Sequence, residues 1–233
     1  MVDWLMTPLS GAHAHDIAPA LAWHARAMLL AWGLLLPLGV LMARYYRITP
    51  TQDWPRQLDN KLWWHAHRWL QYAGIAAMSL GLVLVLPWGQ PASIHAAAIW
   101  HATLGWGLCA IGWLQIVEAW LRGSKGGPSD AQRRGDHCDM TPRRRSFERL
   151  HKGLGCLALL LAVAVIGLGL VAADALRWMA VALVGWVTVL VIWAARLQRQ
   201  GRCADTYQAI WGADPAHPGN RRAPIGWGIR RRP

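Results

Sequence analysis

Four of the ten histidines in this 233-residue chain, His24, His67, His101 and His151, sit inside long stretches that carry almost no charge. Ionisable side chains are costly in an apolar span and mark functional positions by default. By helix rise, His24 lies about one turn and His101 about two turns inside one end of their spans. His67 lies about two turns, and His151 about one to two turns, inside the other end. Alternate spans run in opposite directions, so His24 and His101 share one leaflet while His67 and His151 share the other. A haem iron has one axial position on each face, and two helices across a bundle can each supply one imidazole. The pattern predicts two bis-histidine haem sites. Two His ligands leave no open position for oxygen, so such centres suit electron transfer rather than O₂ activation. Histidines also pack helices together through hydrogen bonds, but four in consecutive spans, paired by depth, favour a metal or haem. Zinc wants three or four protein ligands, and two per leaflet are too few. No Cys-x-x-Cys-His occurs, so the haem is expected to be non-covalent, of b type.

Other polar residues need weighing beside these. His65 is about 200° around the helix from His67, so one of the two faces the bundle centre. His65 and His95 read as interfacial, and His13, His15, His137 and His217 fall in water-facing segments. Haem propionates favour Arg or Lys partners. Arg68 follows His67 and Lys152 follows His151, so either is a candidate, with snorkelling toward head groups the equal alternative. Glu118 is expected to pair with Arg122 one turn on, and less readily to relay a proton to a quinone. Gln71 and Gln115 are expected to bond between helices. Cys109 and Cys156 are expected to be buried, and Cys138 and Cys203 to be free thiols in a reducing compartment. Gly123, Gly126, Gly127 and Lys125 match no P-loop, since the Gly-Lys-Ser/Thr end is missing. No nucleophile–base set stands out, which argues against hydrolysis.

The elements that must position these groups are membrane spans. The chain is 55% hydrophobic and 15% charged, with a mean hydropathy of +0.20. Soluble domains carry about a quarter charged residues. A bilayer core needs about 20 mostly apolar residues per helix, and five segments qualify, near 20–43, 62–87, 95–121, 147–171 and 176–195. The expected fold is an all-α integral membrane bundle. Residues 1–19 form an outer N-terminal segment, 20–172 a four-helix core, 173–196 a fifth helix, and 197–233 a tail, of which 203–233 is expected to be extended or disordered. Thr141-Pro142 reads as a helix N-cap, and Pro37 should leave a carbonyl for a neighbouring helix to satisfy. Pro87, Gly89 and Pro91 mark the turn between the second and third spans. No Lys or Arg precedes Arg26, so the basic leader of a cleavable signal peptide is missing and the first span is expected to stay.

Charge sets the expected orientation. Segments 44–61, 122–149 and 196–233 hold 4, 8 and 8 Lys/Arg, while the segments on the opposite side hold only Arg177. Positive residues stay on the cytoplasmic side, which puts the N-terminus outside and the C-terminus inside. The net charge of +12 is then a topology signal with attraction to anionic lipid, and nucleic acid is not the expected partner. Trp23, Trp63, Trp64, Trp88, Trp100, Trp120 and Trp178 near span ends read as an aromatic belt.

At the four histidines the chain resembles the cytochrome b561 family, in its bacterial form related to ferric-reductase-like b561 domains. WHARAMLLAWGLLLPLGVLMARYY (23–46) is similar to the family's first core helix, and HRWLQ (67–71) to the second. HATLGWGLCAIGWLQ (101–115) is similar to the third and ERLHKGLG (148–155) to the fourth. The resemblance covers about 20–172 and implies His24 with His101 on one haem b, and His67 with His151 on the other. It also selects His67 over His65. The chain is expected to depart from the family in having five spans where six are frequent, and an outer segment of about 20 residues in place of a donor-binding domain. The loop 122–145 is similar to bacterial members without implying a role.

The combined expectation is a dihaem b-type cytochrome of a bacterial inner membrane. It would pass single electrons between donor and acceptor, with quinone or quinol or a redox protein as partner. Two alternatives stay open. One is a membrane-anchor cytochrome subunit of a larger oxidoreductase. The other is a non-redox scaffold or transporter subunit, which would show no Soret band.

Overall fold

The computed structural model describes residues 2–11, 17–86, 96–125 and 140–232. His13, His15, Pro87, Trp88, Gly89, Pro91, His95, Gly126, Gly127, His137 and Cys138 lie outside the described residues. Five helices are long and apolar enough to cross a membrane: α1 Pro19–Tyr45, α2 Leu62–Val85, α3 Ala96–Trp120, α4 Pro142–Ala172 and α5 Arg177–Arg199. A short helix, α6, follows at Thr206–Trp211. No strand occurs among the described residues, only two isolated bridges. The chain is an all-α, multi-pass membrane bundle.

Helix α4 starts at Pro142 rather than near 147, because Thr141 caps it: its Oγ1 accepts from the Arg144 N–H at 3.2 Å. Hydropathy marks the apolar part of a helix, while caps mark its end. Helix α1 is not regular throughout. Leu29–Leu35 form a π-helical stretch immediately before Leu36 and Pro37. Proline has no N–H to give the carbonyl four residues back, which is that of Gly33. The Trp186 indole N–H of α5 donates to it instead, at 2.7 Å. This is the satisfaction by a neighbouring helix that Pro37 in an apolar span requires.

The chain packs as two compact units. The first comprises 1–37, 71–112 and 157–193. Its core holds Ala31, Trp32 and Leu36 of α1, Met78 and Leu82 of α2, Leu108 and Cys109 of α3, and Ala158, Ala162 and Val165 of α4. Small residues let these helices approach closely. A Cβ on Gly112 would sit 3.0 Å from Ile75, and one on Gly74 2.7 Å from Leu36. The N-terminal segment is tied to the turn after α4. Leu9 N–H donates to Ala175 O, Arg177 N–H to Thr7 O, and Ser10 bonds the Asp174 carboxylate through N–H and Oγ. Outward along α5, Val184, Val191 and Ile192 are exposed, as are Leu80 of α2 and Leu160 of α4. Bilayer tails solvate such surfaces.

The second unit comprises 38–70, 113–156 and 194–233. Here the structure corrects the expectation of a disordered tail. Every residue of α6 is buried, and Met140, Tyr207, Ile210 and Trp211 form a small apolar core. The segment has no helical periodicity because ion pairs hold it in place of a continuous apolar face. Asp205 caps α6 through the Tyr207 N–H and pairs with Arg231 at 3.2 Å. Arg47, buried, donates to Ala204 O at 2.8 Å. Burial pulls its guanidinium below the usual pKa, with the Glu148 carboxylate the main opposing influence. Cys203 is buried as a free thiol, and Cys156 lies within the α4 span on its exposed surface.

Glu148 is the centre of this network. It is 4% exposed, and its two oxygens take Arg144 at 3.3 Å and Lys152 at 2.8 Å, one turn away on either side. Removing one member of a buried ion cluster strands the others. Glu148→Ala is therefore expected to cost about 3–5 kcal/mol, read as a lower midpoint of thermal unfolding in detergent.

Candidate functional site

Each of the four span histidines is fixed by a bond at Nδ1. His24 on α1 bonds Gly81 O of α2 at 2.8 Å, and His101 on α3 bonds Val165 O of α4 at 2.9 Å. His67 on α2 bonds Gly39 O of α1 at 2.9 Å. His151 on α4 bonds Glu118 Oε1 of α3 at 2.9 Å. A carbonyl only accepts, so in the first three rings Nδ1 carries the proton and Nε2 keeps its lone pair. That arrangement is the one found in metal-ligating imidazoles.

The rings come together in two pairs. In the first unit His24 and His101 have centroids 6.1 Å apart with planes at 84°. In the second unit His67 and His151 have centroids 6.2 Å apart, also at 84°. An imidazole nitrogen sits about 2 Å from a ligated transition metal and about 1 Å from its own ring centre. Two imidazoles on opposite sides of one iron are thus about 6 Å apart, centre to centre. Both spacings match. No group of three or more His, Cys, Asp or Glu able to hold a metal ion occurs among the described residues. The donor set therefore suits a metal whose other ligands come from a macrocycle, and the residues present fit haem.

Space has been made for these rings. A Cβ on Gly169 of α4 would lie 2.8 Å from His101 Cε1 and 3.0 Å from its Nδ1. Phe147 packs against His151 at 4.9 Å between centroids. His65 is exposed.

The charged candidates stand differently. Arg68 is exposed, with its guanidinium over the Trp64 ring at 5.9 Å. Lys152 has its three N–H donors engaged by Glu148 Oε2, Thr206 Oγ1 and Ile225 O, at 2.8, 3.2 and 2.8 Å. An ammonium has three donors, so all of those of Lys152 are taken up by groups of the protein. For Glu118 the structure gives a correction. It meets His151 rather than Arg122, whose Nη1 donates to Ala119 O at 3.2 Å. Gln71 and Gln115 do bond between helices, to Leu36 O at 3.1 Å and His151 O at 3.3 Å.

The fold and site thus define a membrane helical bundle with two paired-imidazole centres. Comparison with known proteins agrees in kind. The chain is 31% identical, over 121 residues, to a cytochrome b561, DM13 and DOMON domain-containing protein of Arabidopsis thaliana. The match covers 52% of this chain and 12% of that protein. It is 27% identical over 155 residues to ferric-chelate reductase 1 of Mus musculus, covering 66% of this chain and 23% of that one. The chain thus spans a quarter or less of the curated relatives it matches. No protein-family model matches it, and no solved structure does.

Proposed function

We propose that the chain is a b561-like dihaem cytochrome that moves single electrons across a membrane. His24 and His101 hold one haem b, and His67 and His151 hold the other. The observation that carries this reading is the repetition of one geometry, 6.1 and 6.2 Å at 84°, at two sites drawn from four different helices. Packing alone has no reason to repeat it. The relatives named for cytochrome b561 and ferric-chelate reductase support the same class.

Bound haem supplies a one-electron iron couple. The chain's part is to present Nε2 from each ring, to hold each ring by its Nδ1 partner, and to surround the first pair with apolar side chains that exclude water. Arg68, adjacent to His67 in sequence, serves as the propionate partner of the His67–His151 site. Electrons are exchanged with the quinone pool or a redox protein, the basic segments face a bacterial cytoplasm, and the N-terminus faces the periplasm.

A reduced-minus-oxidised spectrum with haem quantitation tests the reading. Two haems per chain with low-spin b-type bands are expected. One haem, or none, overturns the dihaem model.

A further inference from the structure

Three of the four span histidines give their Nδ1 proton to a backbone carbonyl: His24 to Gly81, His67 to Gly39 and His101 to Val165. His151 alone meets a carboxylate, Glu118 Oε1 at 2.9 Å, and both side chains are largely buried, 24% and 15% exposed. The same turn of α3 also holds the His151 backbone, through Gln115. A carboxylate partner makes an imidazole a stronger electron donor to its metal than a carbonyl does. A more basic axial ligand, and a negative charge nearby, favour the oxidised iron. In a low-dielectric setting the effect of the charge grows.

We propose that Glu118 is a positioning residue that lowers the reduction potential of the His67–His151 haem and leaves the His24–His101 haem unaffected. This rests on the dihaem reading above. Arg47 acts electrostatically on His67, and Arg144 and Lys152 on His151, all favouring the reduced iron, while Glu148 opposes them at His151. All four remain in a variant changed only at residue 118, so any difference belongs to Glu118. The asymmetry gives the two centres distinct potentials without any difference in ligand type.

The test is a spectroscopic redox titration of the purified full chain and its Glu118→Gln variant, with haem quantitation on both. The amide keeps the shape and an acceptor oxygen but removes the charge. Two haems per chain are expected in each, with one transition moved to more positive potential and the other unmoved. Repeating the titration on His24→Ala, with and without Glu118→Gln, assigns the moving transition to the His67–His151 centre. Two haems with unmoved transitions overturn the inference while leaving the dihaem reading intact. Wild-type protein without two haems defeats the dihaem reading itself. Redox-difference infrared spectra of the wild type and the Glu118→Gln variant supply a second check. A carboxylate band that follows one haem transition in the wild type and is missing from the variant is expected, and identical carboxylate bands in the two overturn the inference.

Discussion

His24→Ala and His101→Ala are each expected to lower the haem content from two per chain to one and to remove the same spectral component. His67→Ala and His151→Ala are expected to remove the other. The reasoning is local. Each ring pair lies within one compact unit, and the Nδ1 partner of every ring lies in that ring's own unit. On the proposed dihaem reading, losing one imidazole would leave its iron with a single protein ligand, while the second pair would keep both of its own. His65→Ala supplies the control. It is two residues from His67 but exposed, so its haem content should equal that of the wild type. Pyridine haemochrome quantitation of the five variants, with electron paramagnetic resonance of the oxidised proteins, reads the result. Removal of different components by His24→Ala and His101→Ala would break the pairing.

What the sequence made legible, and what it hid, divides along physical lines. Hydropathy marks the apolar part of each span and successive spans alternate in direction, so the approximate depth of each histidine is a matter of counting. Pairing by leaflet follows, and the structure brings together the same pairs. Pro37 was legible for a similar reason. A missing N–H frees a known carbonyl, although the donor, Trp186, lies 153 residues away. The contacts that orient the rings were not legible. Glu118 has Arg122 four residues on, a local partner that helix geometry favours, yet His151 is 33 residues distant and wins. A buried imidazole N–H needs an acceptor more than a span-end arginine needs a carboxylate, since Arg122 finds a carbonyl nearby.

The C-terminal segment was hidden by its own composition. Pro, Gly and Arg without periodicity describe an unfolded chain as readily as one held by polar contacts. Here the partners sit on other segments: Lys152 reaches Thr206 and Ile225, Arg44 reaches Trp227 O at 2.7 Å, and Arg47 reaches Ala204. Order that depends on hydrogen bonds from charged side chains of distant segments leaves little trace in a local pattern.

The second large effect is expected from a single methyl group. The His101 ring lies against α4, bonded to Val165 O one turn before Gly169. A Cβ at 169 would be 2.8 Å from Cε1 of that ring, closer than van der Waals contact allows. The ring cannot swing away at no cost, because its Nδ1 bond to Val165 and its place opposite His24 both fix it. Gly169→Ala is therefore expected to displace Nε2 and weaken the His24–His101 haem by about 10–100-fold, the range for losing a group that orients a metal ligand. The His67–His151 haem should keep its occupancy. Gly167→Ala is the matched control, since a Cβ there meets nothing within 4 Å. As Gly costs a helix about 0.5–1 kcal/mol relative to Ala, this control should match or slightly exceed wild-type stability. Haem titration of the apoprotein separates the two. Equal haem affinity in both alanine variants would mean that His101 does not have to stay where the structure places it, and would remove the steric argument for its role as a ligand.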